Sequence, residues 1–239
     1  MLNNLPKGFL FFSLVLFFAT NTYGQHMHED VQNYHVRLSV SDSSNLIRVH
    51  ETIVLLREST EDSVLLDLAD AMKVSSMKWN GTAVHFEHKN GLLSIPPKQN
   101  ESLKTSIDLT YEGVPTDGLI IGKNKYNERT FFGDNWPNRA HNWIACNDHP
   151  SDKAIYAFTV KAPSKYKVVS NGAFNGFKEM GNGFNEWSFI ILFLSPQVVT
   201  CFPRLSGVQE VVAQEDRRFA FFCLVNKAGT SVTGSGREK

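Results

Sequence analysis

The chain has no excess of charge of either sign: 24 lysines and arginines balance 24 aspartates and glutamates, for a formal net charge of +0. Phosphate backbones and anionic membrane surfaces are recognised through a basic patch or stripe, and this balance predicts none, so nucleic acid is not an expected partner. Cysteine is scarce and odd in number (Cys146, Cys201 and Cys223), which excludes a complete disulfide framework and any Cys-x-x-Cys pair. One bridge and three unpaired thiols both fit that count. Long apolar runs are missing as well. Phe9 to Ala19 is eleven residues interrupted by Ser13, and Phe189 to Leu194 is six. A bilayer-crossing helix needs ~20, so no stable membrane span is expected. Of the eight histidines, no two stand four residues apart and none follows residue 149. The sequence therefore holds no His-Glu-x-x-His zinc helix, and it lacks the Gly-x-x-x-x-Gly-Lys-Ser/Thr phosphate loop too.

What is present begins with a leader. Lys7 precedes the apolar stretch, and Thr22-Tyr23-Gly24 places small side chains at −3 and −1 before Gln25. Residues 1–24 read as a secretory signal, with an uncleaved anchor as the alternative, and the expected location is periplasmic or extracellular. His26, His28, Glu29 and Asp30 follow directly and read as a solvated terminus rather than a chelator.

Period-two patterning dominates the next stretch. Tyr34, Val36, Leu38 and Val40 alternate with polar partners; so do Ile47, Val49, Ile53 and Leu55, where His50 and Glu51 break the pattern. Val64, Leu66 and Leu68 predict a third strand with Asp67 outward, and Leu103, Ile107, Leu109 and Tyr111 a further one. Asn80-Gly81 and Asn90-Gly91 each supply the two positive φ angles of a tight hairpin turn. Tyr156, Phe158 and Val160 alternate before Pro163, and Tyr166 to Val169 predicts a strand closed by Asn171-Gly172. No helical period of useful length occurs before residue 190. The expected fold is all-β, an antiparallel sandwich or large curved sheet over residues 30–190. Beyond it, residues 191–239 change character. Their charges and valines have no clean period, and Gly229 to Lys239 is small and polar.

Other constellations reduce to structure. His85-Phe86-Glu87-His88 carries metal-ligand letters, but a strand sends His88 to the opposite face from His85 and Glu87. Asp148, His149 and Ser151 share one turn, too close in sequence to align as nucleophile, base and orienter. Asn80-Gly81-Thr82 and Asn100-Glu101-Ser102 fit the glycan acceptor pattern.

The most informative stretch runs from Thr130 to Gly172. An aromatic loop with Phe131, Phe132, Trp136 and Trp143 leads into the polar turn Asp148-His149-Pro150-Ser151-Asp152-Lys153, and two strands follow. Cys146, Asp148, Pro150, Lys153 and Ala154, then Pro163, Tyr166, Ser170, Asn171 and Gly172, resemble the N-terminal β domain of the aminopeptidase N family of zinc exopeptidases. Tyr111-Glu112-Gly113 and Gly118-Leu119 resemble an upstream passage of the same domain, and the likeness extends over roughly residues 32 to 187. The resemblance implies a saddle-like β domain beside a thermolysin-like catalytic domain, with zinc and peptide substrate reached only through that partner. The partner's zinc helix and Gly-x-Met-Glu-Asn strand are not in this sequence; Lys178-Glu179-Met180-Gly181-Asn182 has similar letters in another order and reads as a hairpin turn.

No catalytic residue and no metal ligand is therefore expected in this chain. The family also presents a Gln or Glu that holds the substrate's free amine, and alignment on Cys146 puts Trp136 at that place. An indole has only a donor, so Asp134 or Asn135 is the candidate for the role. The leading expectation is a non-catalytic, exported domain whose tail is truncated or frame-shifted. A free-standing secreted binding module and a subunit completed in trans by a zinc-bearing chain are the alternatives. A domain built to be covered is expected to leave an apolar face around Trp136 to Trp143.

Overall fold

The computed structural model describes residues 29–98, 102–124, 127–135, 137–149, 152–196 and 222–226. The expected leader, Trp136, Pro150, Ser151, Cys201 and most of the tail lie outside these.

Alternation of apolar and polar side chains produces fifteen strands among the described residues. They are β1 (Glu29–Ser39), β2 (Ile47–Arg57), β3 (Val64–Asp67), β4 (Met72–Trp79), β5 (Thr82–Ala83), β6 (Glu87–Lys89), β7 (Leu92–Ile95) and β8 (Lys104–Gly113), followed by β9 (Leu119–Lys123), β10 (Arg129–Gly133), β11 (Lys153–Pro163), β12 (Tyr166–Ser170), β13 (Ala173–Gly181), β14 (Phe184–Pro196) and β15 (Phe222–Asn226). A single 3-10 turn, Ala140–Asn142, is the only helical element described. The chain is all-β, as its patterning predicts.

Eight strands form one sheet in the order β13-β14-β11-β1-β2-β8-β4-β5, with a four-stranded sheet β12-β15-β10-β9 and a three-stranded sheet β3-β7-β6 beside it. The expected antiparallel arrangement needs one amendment. β1 and β11 pair in parallel, Asn33 opposite Ile155 through Ser39 opposite Lys161, so the large sheet is mixed. The pair is joined across more than a hundred residues, and a parallel pair always needs such a crossover rather than a hairpin.

Residues across the large sheet fall into rows. On its inner face Phe177, Trp187, Val160, Leu38, Val49, Tyr111 and Val74 are successive partners from β13 to β4. Val64, Leu66, Leu93 and Ile95 of the small sheet and Phe131 and Tyr166 of the four-stranded sheet join that face in one core cluster. Both Asn-Gly pairs take the expected positive φ angles, 47° and 80° at Asn80-Gly81 and 54° and 75° at Asn90-Gly91. Leu103 departs from expectation: it precedes β8 and is 46% exposed, and Thr105 takes the inward position instead. The run Phe189 to Leu194 is part of β14, which pairs with both β11 and β13.

Asn171-Gly172 turns β12 into β13, and Gly172 sits at φ 84°, where a Cβ would stand 2.2 Å from the Ile190 carbonyl oxygen. Neither backbone can give way without breaking the sheet. Gly172→Ala is therefore expected to destabilise the chain by roughly 2 kcal/mol or more. A lowered urea midpoint with unchanged slope is the expected readout.

Candidate functional site

The segment between β10 and β11 buries the polar side chains of Asp134, Asn135, Asp148 and Asp152, and it carries Cys146 and Asp148 of the motif. A non-sheet backbone entering a core needs a partner for every N–H and C=O. The fold supplies these partners from three directions.

The entry is tied to the β8–β9 connection. Asp134 N–H donates to the Gly118 carbonyl at 2.7 Å, and the Arg139 guanidinium reaches Asp134 Oδ2 at 3.0 Å and Asp117 Oδ2 at 3.6 Å. Gly118 has φ 73°, and a Cβ there would lie 2.2 Å from the Arg139 carbonyl, so only glycine allows this approach. Asn135 Oδ1 accepts the Trp143 indole N–H at 2.9 Å, and Trp143 is fully buried against Phe158. Asp134 and Asn135 thus stand side by side, both buried, each with a side-chain oxygen engaged inside the fold.

The middle is held by the large sheet. Ala145 N–H lies 3.2 Å from Glu51 Oε2 and 3.1 Å from the Tyr111 hydroxyl. That hydroxyl is 2.7 Å from Glu51 Oε2 and 3.4 Å from the Trp143 carbonyl. Asn147 N–H donates to the Tyr34 hydroxyl at 3.0 Å, and Tyr34 stacks on Tyr156 with centroids 4.8 Å apart. The third direction is the small sheet: Asp67 and Cys146 exchange two backbone hydrogen bonds, and Asp148 N–H donates to Asp67 Oδ2 at 3.0 Å. Asp148 Oδ2 in turn takes His141 Nδ1 at 2.7 Å. At the exit, Asp152 Oδ1 accepts Val31 N–H at 3.2 Å.

Glu51 is the residue that sequence reasoning misjudged. It looks like an interruption of β2, yet it occupies an inward position between Val49 and Ile53 at 0% exposure. Burial pushes its carboxyl up to about 8, against smaller lowering by the hydrogen bonds from Tyr111 and Ala145. The magnitudes agree with that direction. Desolvating an unpaired carboxylate costs several kcal/mol, whereas two hydrogen bonds return about 1–3 kcal/mol each. The neutral acid wins at neutral pH. Glu51 Oε2 accepts from the Tyr111 hydroxyl and the Ala145 N–H, and Oε1 has no partner among the described residues. The available signal was a charged residue at the inward phase of a strand.

His141 is committed to Asp148, His88 lies 2.9 Å from the Leu68 carbonyl, and His35 and His50 border Arg37, whose charge helps lower the His35 pKa after burial. Among the described residues no three His, Cys, Asp or Glu side chains group as metal ligands. Cys146 is a free thiol, and burial raises its pKa well above the ordinary value. The segment's chemistry is that of a buried hydrogen-bonded plug.

Of described residues 137–143, Ala140 and Trp143 are buried. Among the exposed large apolar side chains, Phe174 (61% exposed) and Phe177 (49%) of β13 stand at the sheet edge against Phe189 and Trp187.

Comparison with known proteins agrees with this architecture. Residues 30–191 match the peptidase M1 N-terminal domain. The leucyl aminopeptidase of Saccharolobus solfataricus is 27% identical over 144 residues, 59% of this chain but 18% of that protein. The M1 zinc metallopeptidase of Deinococcus radiodurans superposes with a TM-score of 0.60 at 25% identity, over 71% of this chain and 40% of that one. Legionella pneumophila aminopeptidase A, solved with aspartic acid, shares the fold at 17% identity, with a TM-score of 0.62 over 72% of this chain and 21% of its own. The chain thus spans less than half the length of each of these relatives.

Because the folded Glu51 carboxyl titrates near 8 and the free group near 4.5, the folded state holds a proton that the unfolded state has lost between those values. Stability is then fully present below about pH 4.5 and falls as pH rises toward 8, by up to about 1.4 kcal/mol per pH unit. Asp152, raised by burial to about 7, acts in the same sense. Thermal melts from pH 5 to 8 are expected to show a falling Tm. Glu51→Gln, which cannot lose that proton, is expected to flatten the slope; an unchanged slope would contradict the neutral-acid assignment.

Proposed function

The chain belongs to the peptidase M1 N-terminal domain family, and from that premise we propose that it serves as the non-catalytic β domain of an exported zinc aminopeptidase, inactive by itself. The observation that carries this reading is where the motif residues are used. Tyr111, Gly118, Cys146, Asp148 and Gly172 are spent on internal geometry, either hydrogen-bonding the plug or permitting close backbone contacts. None is arranged as nucleophile, base or metal ligand.

Peptide hydrolysis by a metal enzyme needs an ion that polarises a carbonyl and activates water, held by ligands this donor set does not provide. Zinc and its ligands belong, in this reading, to a catalytic domain that packs against the β domain, and peptide substrate is met only there. The exposed Phe174 and Phe177 support a surface meant to be covered. Asp134 and Asn135 remain the side chains proposed to border the substrate amine, with Trp136 at the aligned position. An incoming ammonium would compete with Arg139 for Asp134. Export rests on residues 1–24, and an exported product whose intact mass corresponds to a Gln25 start would agree with it.

The purified chain, supplied with zinc and an aminoacyl-anilide, is expected to give no turnover above the buffer blank. Adding a separately purified zinc-bearing M1 catalytic domain should produce a complex detectable by size exclusion. Hydrolysis by the chain alone, abolished by a chelator, would overturn the proposal.

A further inference from the structure

The outer face of the large sheet carries a charge pattern that the reading above does not use. Following the pairing from β13 to β4, one row reads Lys178, Glu186, Lys161, Ser39, Arg48, Glu112, Lys73. Cations recur on every second strand, roughly 9–10 Å apart, and a carboxylate stands between each pair except one. Arg48 and Glu112 close to 2.9 Å in this row. At the centre, between Lys161 and Arg48, the alternation supplies Ser39 where an acid would complete it.

A third cation stands at the same place. Arg37 is two residues before Ser39 on β1, about 7 Å along the same face. Its cross-strand partners are Thr159 and His50. Its guanidinium has no hydrogen-bond or ion-pair partner among the described residues. A cleft of about 260 Å³ opens at this gap, lined by Arg37, Ser39, Arg48, His50, Thr159 and Lys161 among others. Hydroxyl donors therefore sit among three positive charges, while the imidazole of His50 is already 3.1 Å from the Thr110 hydroxyl. Arg48 is offset by Glu112, and Lys161 faces Glu186, which also lines the cleft, so Arg37 is the cation left without an acid, and a negative group from outside would balance it.

We propose that this cleft binds a small oxyanion, a phosphate or carboxylate group, that supplies the negative charge missing at Ser39. Arg37 grips it through its planar fork, Lys161 adds a point charge, and the Ser39 hydroxyl donates to its oxygens, while the Thr159 hydroxyl is already 3.4 Å from both His35 Nε2 and Ser188 Oγ. Carbohydrate without acid groups is a poorer occupant, because no Trp, Tyr or Phe ring lines the cleft.

The test is isothermal titration of the full chain with inorganic phosphate and, separately, with citrate, at low ionic strength and with chloride as the matched control. Saturable binding of either is expected, weakening several-fold on raising the salt to ~0.15 M. Arg37→Gln and Lys161→Gln should each weaken it at least tenfold. Ser39→Asp builds the missing charge into the protein: it should abolish binding and raise Tm in anion-free buffer. Lys78→Gln, on the same face but outside the cleft, should change neither. Phosphate also stabilises proteins by exclusion from their surfaces, without saturating and without regard to these side chains. If neither anion binds saturably, or if Arg37→Gln and Lys161→Gln bind as the unaltered chain does, the proposal is wrong.

Discussion

The fold depends on bringing one strip of non-sheet backbone, residues 143–148, into an apolar interior without leaving its polar groups unpaired. Two sheets hold that strip: the large one contributes Glu51 and Tyr111, and the small one contributes Asp67, through its side chain to Asp148 and its backbone exchange with Cys146. Removing one partner would strand a buried group at the full cost of its desolvation, which exceeds the net value of the bond itself. The polar side chains in this core are consequently few, and most have a definite partner; Glu51 Oε1 and the Trp79 indole N–H are exceptions among the described residues. A neutral Glu51 is the economical solution, since an acid that keeps its proton can donate and accept at once.

The large sheet separates two kinds of work by face. The inward row from Val74 to Phe177 is apolar across seven strands, and the neighbouring row that ends at Phe174 is interrupted only by Glu51. Outward rows are charged and hydroxylated, with cations and carboxylates alternating from strand to strand. The period of two that builds the core therefore also builds the outer charge row. A single residue, Ser39, breaks that row where the cleft lies.

Much of this was legible in the sequence. Alternation marked β1, β8, β11 and β12, and both Asn-Gly turns could be assigned because a positive φ at two successive residues is a local requirement. Leu103 misled, since it shares the inward phase of Ile107 yet stands just before β8 begins, and nothing local decides where a strand starts. Trp143 was legible as part of an aromatic loop but not as the donor to Asn135. Glu51 was read as a flaw in β2, because its partner Ala145 is 94 residues away and the pairing leaves no mark in the neighbouring sequence.

By itself, then, the sequence determined which segments are strands, where the chain turns, and that no paired histidines stand ready for a metal. Those are properties of neighbours in the chain, decided by side-chain period, backbone φ and spacing. Only the tertiary structure decided the parallel β1–β11 pair, the protonated acid beneath the plug, and the three cations around Ser39. Each of these is a juxtaposition of residues far apart in the chain, created by register between strands, and register is settled by the packing of the whole sheet.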